Sequence, residues 1–413
     1  MSESPKRVQL KRLATCTLGK MVQTTSSEGA VQAPYLRAAH VQPSGRLIDL
    51  PDQRMWFSNA ELRSLTLRRD DVVIVEGGAG YGRSAVLHED MDGWGFQNSI
   101  IRVRPTQSRA DGRFLDYAIQ AALDSGEIDS VVSTATIPHF TAEKVARLPI
   151  AELAVEEQRA IADYLDRETA QIDAFIAKNE ELIALLTERR AAAIELAVAP
   201  AELPEAWDHC QVRRLGPKNN SGVSVNGYSV PAEGDEIGVL KTGAVSKGYF
   251  DPSENKRVVE EEVDRVATPV LGGTLIVNRA NTPELVGSAG YVKRDHPTLY
   301  LSDKLWQLTF SGADAAYMHY WTLSDAYRSQ LRGLSVGASS SMQNLSYGDF
   351  LSVLISVPSL PEQLAIVERL NRATAEIDAA IEVGRRGITL ARERRAALIS
   401  AAVTGKIDVG VAV

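Results

Sequence analysis

The sequence predicts an α+β protein in which two mixed α/β domains are separated by two long helices that resemble each other. Two observations support this fold class: a duplicated helical stretch, and a strand-rich segment before each copy. Residues 157–198 and 362–403 align without a gap at a separation of 205 residues, and 22 of the 42 aligned positions are identical. Because unrelated helices share far fewer identities, we interpret the pattern as an internal duplication with pseudo-two-fold character.

The duplicated stretches carry apolar residues at steps of three, four and seven, which places them on one face of a helix. A helix of 42 residues spans ~63 Å at ~1.5 Å per residue, too long to bury within one small domain. An apolar stripe of that length requires a partner helix. The matched apolar pairs are Ile161 with Ile366, Leu165 with Leu370, Ile172 with Ile377, Ile176 with Ile381 and Ile183 with Ile388.

The second stretch contains two glycines, Gly384 and Gly387, each of which costs roughly 1 kcal/mol relative to alanine inside a helix. If the two helices pack antiparallel about a pseudo-two-fold axis, Phe175 would face Arg385 and Ile176 would face Gly384. The bulky side chains would then fill the space that the glycines leave. A kink at the glycines is the alternative interpretation.

Helix boundaries divide the chain into four parts: 1–150, 151–200, 201–356 and 357–413. Pro200 and Pro204 end the first helix, which begins near Ala154, and Gly405 ends the second. The second mixed domain repeats the order of elements of the first. The matched segments are 71–87 with 272–292 (strand, glycine turn, strand), 96–105 with 301–310 (strand), 114–128 with 317–331 (helix) and 134–150 with 339–355.

Composition and charge exclude several classes of protein. The net charge is −8, distributed as +1, −6, −4 and +1 over the four parts. Such a chain is not a general nucleic-acid coat, and it would hold a polyanion weakly unless its basic residues cluster in space. We expect a cytoplasmic protein without membrane attachment, since neither a signal peptide nor a span of ~20 apolar residues is evident. Cys16 and Cys210 are expected to be reduced thiols.

No catalytic motif stands out. The glycine-rich segment Gly77–Gly82 could be a nucleotide-binding loop, but a strand-like segment follows it where a helix would be needed, so a hairpin turn is favoured. A Walker loop, an adenine-methyltransferase signature (Asn/Asp-Pro-Pro-Tyr/Phe), a nuclease-like carboxylate–lysine cluster and a metal-ligand spacing of the histidines are all absent from the sequence. We therefore predict a non-catalytic chain that binds no cofactor or metal itself.

Two similar modules at a fixed spacing suit a protein that reads two half-sites on DNA. A separation of ~63 Å corresponds to about 18 base-pair steps of ~3.4 Å. The helices are near copies, whereas the mixed domains share a plan and differ in detail. This contrast favours two readers of unlike sequences.

Several motifs resemble the DNA-specificity subunits of type I restriction-modification systems, and the likeness covers essentially the whole chain. They are the EQ-x-A-I opening of each helix, the ERRAA stretches at 188–192 and 393–397, the ending AAVTGKIDV at 401–409, and the entry Pro204-x-x-Trp207 to the second mixed domain. The first mixed domain departs from the pattern because it lacks the opening tryptophan, which leaves its start uncertain.

This resemblance implies that each mixed domain is a target recognition domain for one half of a bipartite, asymmetric site on double-stranded DNA. It implies that the two helices form an antiparallel coiled coil, which spaces the domains and docks two modification subunits. Those partners would bind S-adenosylmethionine and methylate adenine, and restriction subunits that translocate and cut DNA could join them. The acidic first helix fits a surface that faces protein.

Candidate DNA-contacting residues are the polar and basic side chains of loops near the glycine turns. They are Tyr81, Arg83, Gln97 and Asn98 in the first domain, and Asn278, Arg279, Asn281, Lys304, Ser340 and Gln343 in the second. Arg83 and Arg279 are expected at corresponding places, with guanine contact as the sharper hypothesis. Phosphate contacts or solvated loop positions are the alternatives.

Candidate partner-docking residues lie on the outward helix faces: Arg189, Arg190, Arg394 and Arg395. Simple solvation of these charges is the alternative. For the whole chain, the alternative function is a coiled-coil scaffold that presents two protein-binding modules. An autonomous enzyme is a third class, which the missing motifs disfavour.

Overall fold

A computed structural model describes residues 5–26, 28–51, 53–132, 138–202, 204–334, 336–339 and 342–407. The chain separates into two compact units. Unit 1 comprises Met1–Glu180 and Arg386–Val413, and unit 2 comprises Glu181–Arg385. Each unit therefore combines one mixed domain with a segment of each long helix.

Unit 1 contains the first mixed domain. Its strands are β1 (Arg7–Gln9), β2 (Ala14–Leu18), β3 (Ala30–Leu36), β4 (Val41–Gln42), β5 (Arg46–Leu47), β6 (Arg54–Ser58), β7 (Val72–Val75), β8 (Ser84–Val86), β9 (Gly95–Phe96), β10 (Ile100–Pro105) and β11 (Pro149–Ala151). Its helices are α1 (Asn59–Ser64), α2 (Gly112–Asp124), α3 (Glu127–Val131), α4 (Ala142–Arg147) and the first part of α5 (Val155–Val198).

The central antiparallel sheet of unit 1 has the strand order β2-β10-β7-β8. Strand β7 is buried along its whole length. Because successive side chains of a strand point to opposite faces, Val72 and Ile74 enter one core with α2, and Val73 and Val75 enter another with β3. This double burial explains the uninterrupted apolar run before the glycine turn. The segment Gly77–Gly82 is the hairpin turn between β7 and β8, as predicted.

Unit 2 contains the second mixed domain. Its strands are β12 (Asp208–Gln211), β13 (Lys218–Ser221), β14 (Gly238–Leu240), β15 (Asn255–Arg257), β16 (Pro269–Val270), β17 (Thr274–Asn278), β18 (Ala280–Asn281), β19 (Ala289–Val292), β20 (His296–Tyr300), β21 (Leu305–Thr309), β22 (Val336–Ser339), β23 (Met342–Asn344) and β24 (Leu354–Val357). Its helices are α6 (Gly243–Ser246), α7 (Ala315–Thr322), α8 (Asp325–Leu334), α9 (Tyr347–Ser352) and the first part of α10 (Leu360–Val403). The central antiparallel sheet has the order β13-β21-β17-β19.

The internal repeat is confirmed element by element. The bounds of α10, α9 and the start of β24 lie 205 residues after those of α5, α4 and β11. Equivalent backbone bonds join Leu10 N to Leu148 O and Val212 N to Val353 O, each 2.9 Å long. The repeat also resolves the start of the first mixed domain, because β1 pairs with β11 as β12 pairs with β24.

Each long helix is tied to a mixed domain by a buried glutamine in its first turn. The Gln158 side-chain oxygen accepts the backbone N–H of Asp111 at 3.1 Å, and Asp111 caps α2. The Gln363 oxygen accepts the backbone N–H of Asp314 at 2.8 Å, and Asp314 caps α7. Both glutamines are almost fully buried. The glutamine of the Glu-Gln opening thus attaches each long helix to the capped end of a neighbouring helix.

The helix segments run antiparallel within each unit, as expected for the coiled coil. In unit 1 Arg395 pairs with Asp173 at 3.1 Å, and Arg392 pairs with Glu180 at 3.0 Å. Residue numbers therefore increase along one helix in the direction in which they decrease along the other. In unit 2 Arg190 pairs with Asp378 at 2.9 Å. This pair is the repeat equivalent of Arg395 with Asp173, since each residue is displaced by 205 positions.

The glycine contact differs from the expected one. The Phe175 ring lies 3.5 Å from the position that a Cβ of Gly387 would occupy. The phase expected from the sequence pairs Phe175 with Arg385; the contact observed is with Gly387, where the ring packs into the room that the missing side chain leaves. The helix α10 continues through both glycines.

Arg395 is not an outward-facing residue, and its assignment to partner docking is wrong. Its side chain is 7% exposed. Besides the Asp173 carboxylate, the guanidinium donates to the Gln120 side-chain oxygen at 3.1 Å and to the Ser44 carbonyl at 2.9 Å. An arginine can satisfy three such acceptors because its planar head carries five N–H donors. Arg395 thus joins α10, α5, α2 and the β4–β5 turn within unit 1.

The two repeats surround these arginines with different side chains. In unit 1 burial raises the pKa of Asp116 to about 6, although Arg395 opposes the rise. In unit 2 the equivalent position of α7 holds His319, where burial lowers the pKa to about 4 and Arg190 lowers it further. An imidazole that stays neutral beside an arginine avoids charge repulsion, whereas a carboxylate beside an arginine is attracted to it. The same backbone position has therefore diverged chemically.

We expect Ile399→Ala to lower the free energy of unfolding by about 2–5 kcal/mol, the usual range for truncating a buried isoleucine. Ile399 is fully buried, and it completes the core of the first mixed domain from the end of α10. Leu390 lies on the same helix and is 64% exposed. Leu390→Ala is the control and should change stability by less than about 0.5 kcal/mol. Urea unfolding of the full chain measures both; equal losses would contradict the role of α10 in this core.

A second prediction compares the two equivalent arginines. Arg395→Ala should destabilise the chain by about 3 kcal/mol, the low end for breaking a buried pair, since Asp173 keeps some contact with water. Arg190→Ala removes a single ion pair whose side chains are 33% and 53% exposed. It should therefore cost about 1 kcal/mol or less. Thermal and urea unfolding of both variants measure the two losses of stability. A larger loss of stability for Arg190→Ala than for Arg395→Ala would show that burial does not decide which arginine stabilises the chain more.

Candidate nucleic-acid interface

Four candidate residues of the second domain meet at one edge of its sheets. Arg279 directly follows β17, and its backbone N–H donates to the Lys304 carbonyl at 3.0 Å. Its guanidinium donates to the Asp303 carbonyl, also at 3.0 Å. Asn281 of β18 lies directly opposite Gln343 of β23 in an antiparallel pair. We call Arg279, Asn281, Lys304 and Gln343 the domain-2 edge.

Side chains of the domain-2 edge are partly exposed and rich in donors. Lys304 is exposed, and the other three are half-buried. The Asn281 amide approaches the Ser246 hydroxyl at 3.5 Å, and its oxygen accepts the backbone N–H of Thr282 at 2.8 Å. The remaining candidate of this domain, Ser340, lies outside the described residues.

Asn278 does not belong to this surface. It is the last residue of β17, all five of whose residues are buried, and it has no exposed area. Its side-chain oxygen accepts the backbone N–H of Ala280 at 3.2 Å, which shapes the step from β17 to β18. The expectation that Asn278 contacts DNA is therefore corrected: the residue lies in a strand of the core, and a ligand outside cannot reach it.

The first domain has an equivalent edge with different side chains. Glu76 N donates to Ser99 O at 2.9 Å, as Arg279 N donates to Lys304 O. Phe140 N donates to Glu76 O at 2.7 Å, as Leu345 N donates to Arg279 O at 2.8 Å. Glu76 is thus the counterpart of Arg279, and Ser99 is the counterpart of Lys304.

A histidine accompanies the glutamate on this edge. Gly77 bridges to His139, as Ala280 pairs with Asn344 in the second domain. The Glu76 carboxylate lies 2.8 Å from the His139 ring nitrogen, with the two side chains 17% and 52% exposed. We call Glu76, Ser99 and His139 the domain-1 edge. Sequence reasoning missed Glu76 and His139, because only the backbone pairing of distant segments brings them together.

The expected correspondence between Arg83 and Arg279 is wrong. Arg83 O accepts Val75 N at 2.8 Å, and in the second domain Ser288 O accepts Asn278 N at 2.8 Å. Arg83 is therefore equivalent to Ser288. The physical reason is the length of the turn, since 8 residues separate β7 from β8 and 10 separate β17 from β19. Arg83 itself is half-buried and lines a cleft of about 710 Å³ in unit 1, together with Arg46, Asp124 and Arg392.

The other candidates of the first domain occupy two places. Tyr81 donates its hydroxyl to the Asp129 carboxylate at 2.6 Å, and this bond raises the pKa of the phenol. Its polar end is thus directed at α3. Gln97 and Asn98 are half-buried in the connection between β9 and β10, directly before Ser99, and their backbones are held by Leu36 and Lys20. They border the domain-1 edge, as Ser302 and Asp303 border the domain-2 edge.

Two helix arginines remain on exposed surface. Arg189 and Arg394 are exposed, and neither forms an ion pair or hydrogen bond with the part of the chain that the structure describes. Exposed apolar side chains lie on the same helices. They are Leu182, Leu185, Leu196, Leu360, Leu364 and Val383 in unit 2, and Phe175 and Leu390 in unit 1. Apolar groups left in water on a helix face are typical of a surface that binds another protein.

Among the residues that the structure describes, no group of three or more histidine, cysteine, aspartate or glutamate side chains could hold a metal ion. Within the same residues, no helix combines the length and apolar character needed to cross a membrane.

Comparison with known proteins gives related sequences. No protein-family profile matches the chain. It is 26% identical over 175 residues to the EcoEI specificity subunit of a type I restriction enzyme from Escherichia coli, a match that covers 42% of this chain and 30% of that protein. It is 25% identical over 360 residues to the EcoKI specificity subunit from Escherichia coli strain K12, a match that covers 84% of this chain and 76% of that protein.

Comparison with solved structures gives the same fold. The chain matches one from a study of complex assembly and conformational transition of the type I R-M system, with a TM-score of 0.68 and 15% identity over 98% of this chain and 99% of that one. It also matches the HsdS subunit from Thermoanaerobacter tengcongensis, with a TM-score of 0.52 and 16% identity over 97% of both chains. Sequence and fold together relate this chain to the specificity subunits of type I restriction-modification systems.

Proposed function

We propose that this chain is the DNA-recognition subunit of a type I restriction-modification complex. In this proposal each mixed domain reads one half of a bipartite, asymmetric site on double-stranded DNA. The long helices space the two domains and dock two modification subunits. Methyl transfer from S-adenosylmethionine to adenine takes place in those partners, and restriction subunits can join the same complex. The chain itself contributes binding and no catalysis.

The observation that carries the proposal is the pair of equivalent edges with unlike chemistry. The same backbone bonds hold Arg279 in one domain and Glu76 in the other. An arginine suits the two acceptors that guanine presents in the major groove, whereas a glutamate suits the amino group of cytosine. Asn281 and Gln343 add side chains of the kind that pair with adenine. Two such edges on a repeated framework support the reading of two different half-sites.

The helices support the docking part of the proposal. Their exposed apolar side chains and the unpaired Arg189 and Arg394 offer a mixed apolar and basic surface. Interfaces between proteins often combine apolar anchors with arginine. Because the two helices are near copies, one kind of partner could bind both repeats in equivalent ways. This supports a pair of identical modification subunits.

The competing function is a coiled-coil scaffold that presents two protein-binding modules. The exposed apolar residues fit either function, so the edges decide between them. Binding of a labelled duplex by the chain together with its modification subunits supports recognition of DNA. Failure of that complex to bind any duplex would favour the scaffold.

We expect Arg279→Ala to relax specificity at one base pair of one half-site and to weaken binding there by about ten- to a hundredfold. A good bidentate contact is worth about 1–3 kcal/mol of discrimination, and 1.4 kcal/mol is about tenfold. Glu76→Gln should change the preference in the other half-site only. Sequencing of methylated adenines in cells that carry each variant measures both effects.

The control for these variants is Arg294→Ala. Arg294 is exposed beyond the other end of the same hairpin, where Thr274 pairs with Val292. It should leave the methylated sequence unchanged. If Arg279→Ala and Glu76→Gln also leave the sequence and the affinity unchanged, the two edges do not read DNA.

A separate prediction concerns docking. The double variant Arg189→Glu and Arg394→Glu should weaken association with the modification subunit, because it places carboxylates where two unpaired cations lie. Size-exclusion chromatography of the mixed subunits gives the stoichiometry. Arg63→Glu is the control, since Arg63 is exposed on α1 of the first mixed domain. Normal assembly of the double variant would remove these two arginines from the docking surface.

A further inference from the structure

A small basic cavity lies beside the domain-2 edge. Its volume is about 270 Å³, and three lysines line it: Lys241, Lys256 and Lys304. Ser224, Thr242 and Ser302 add hydroxyl groups, and Asp303 is the single acidic residue of the lining. Three cations and three hydroxyls around a space of this size match the needs of a small oxyanion.

The lysines come from separate segments that the fold of unit 2 brings together. Lys241 directly follows β14, and Lys256 lies on β15, opposite Val239 of β14. Lys304 directly precedes β21. The three lysines are not clustered in the sequence. The net negative charge of the second mixed domain therefore gives no sign of this basic cavity.

The charge of this cavity is largely uncompensated. Lys241 and Lys304 form no ion pair with the described part of the chain. The Lys256 ammonium donates to the Val225 carbonyl. Glu262 is close enough for Lys256 to lower its pKa, but its carboxylate already accepts from Asn226 and pairs with Arg265. An anion in the cavity is attracted by the lysines that line it.

We propose that this cavity binds a phosphate of the DNA backbone next to the bases that the domain-2 edge contacts. The proposal rests on the proposed function, and it adds the element that positions the duplex. The cavity is directly continuous with the edge, since Arg279 donates to the Asp303 and Lys304 carbonyls. Phosphate contacts fix the position of a protein along the duplex and carry no sequence information, whereas base contacts determine which sequence is bound.

The first domain lacks the same cation. The counterpart of Lys304 there is Ser99, whose hydroxyl accepts the backbone N–H of Ala38 at 3.3 Å. At this position the two domains therefore differ: the second offers a cation to a phosphate, and the first does not. This inequality distinguishes the proposal from a general attraction between the complex and DNA.

The experiment uses the assembled complex of this chain with its modification subunits. Affinity for a duplex with the cognate site is measured at several salt concentrations, for the natural chain and for the double variant Lys241→Gln and Lys304→Gln. Each lost phosphate contact lowers the slope of log affinity against log salt by about one. We expect the slope to fall by about two.

The matched control is Lys218→Gln with Lys293→Gln. Both residues are exposed, and both lie at the far ends of strand pairs from Lys304: Lys218 opposite Thr309 on β21, and Lys293 just after β19. The control should keep the natural slope. If the double variant unfolds at a lower temperature than the natural chain, the single variant Lys304→Gln replaces it. This variant should lower the salt slope by about one, and Lys304→Arg should keep the natural slope.

The outcomes separate the two proposals. A natural complex that binds no duplex would overturn the proposed function. A natural complex that binds its duplex, with the cavity variants keeping the full salt slope, would overturn the phosphate site alone. If the variants keep the slope but assemble poorly with modification subunits, the cavity accepts an acidic group of a protein, and the phosphate site is again overturned.

Discussion

The pairing of two long amphipathic helices is the constraint on which the rest of the structure depends. Neither helix can hide its apolar stripe alone, and each mixed domain needs both helices to complete its core. Ile161 and Leu165 of α5 join Ile399 of α10 in the core of unit 1. Ile194 of α5 joins Ile366 and Leu370 of α10 in the core of unit 2. Each long helix therefore contributes apolar side chains to both cores, whereas an edge loop belongs to one domain.

Because each long helix contributes to both cores and each edge loop belongs to one domain, the helices remained similar while the domains diverged. The buried glutamines Gln158 and Gln363 each hold the capped end of a neighbouring helix in the same way. Once the framework is fixed by such contacts, side chains at the edges can change without loss of the fold. Glu76 and Arg279 occupy one backbone position and carry opposite charges. Asp116 and His319 show the same freedom at another equivalent position, where burial raises the pKa of the carboxyl and lowers the pKa of the imidazole.

Burial decides which charges are available to a partner. Arg395 and Arg394 are adjacent in the chain, yet the first has three acceptors inside unit 1 and the second is exposed. The same reasoning applies to the second mixed domain, which carries a net negative charge and still gathers three lysines around one cavity. Local arrangement, and not net charge, governs the recognition of an anion over distances shorter than the ~10 Å screening length of ordinary salt solutions.

The sequence by itself determined the repeat, the bounds of both long helices to within a residue or two and the glycine hairpin, because these follow from periodicity and from turn chemistry along a single segment. It also determined the family likeness. Only the tertiary structure decided which side chains face outward: it buried Asn278 and Arg395, paired Glu76 with His139, and matched Glu76 to Arg279 across turns of unequal length. The reason is physical. Burial and backbone pairing depend on segments far apart in the chain, and two inserted residues in a turn are enough to misalign loops whose strands still correspond.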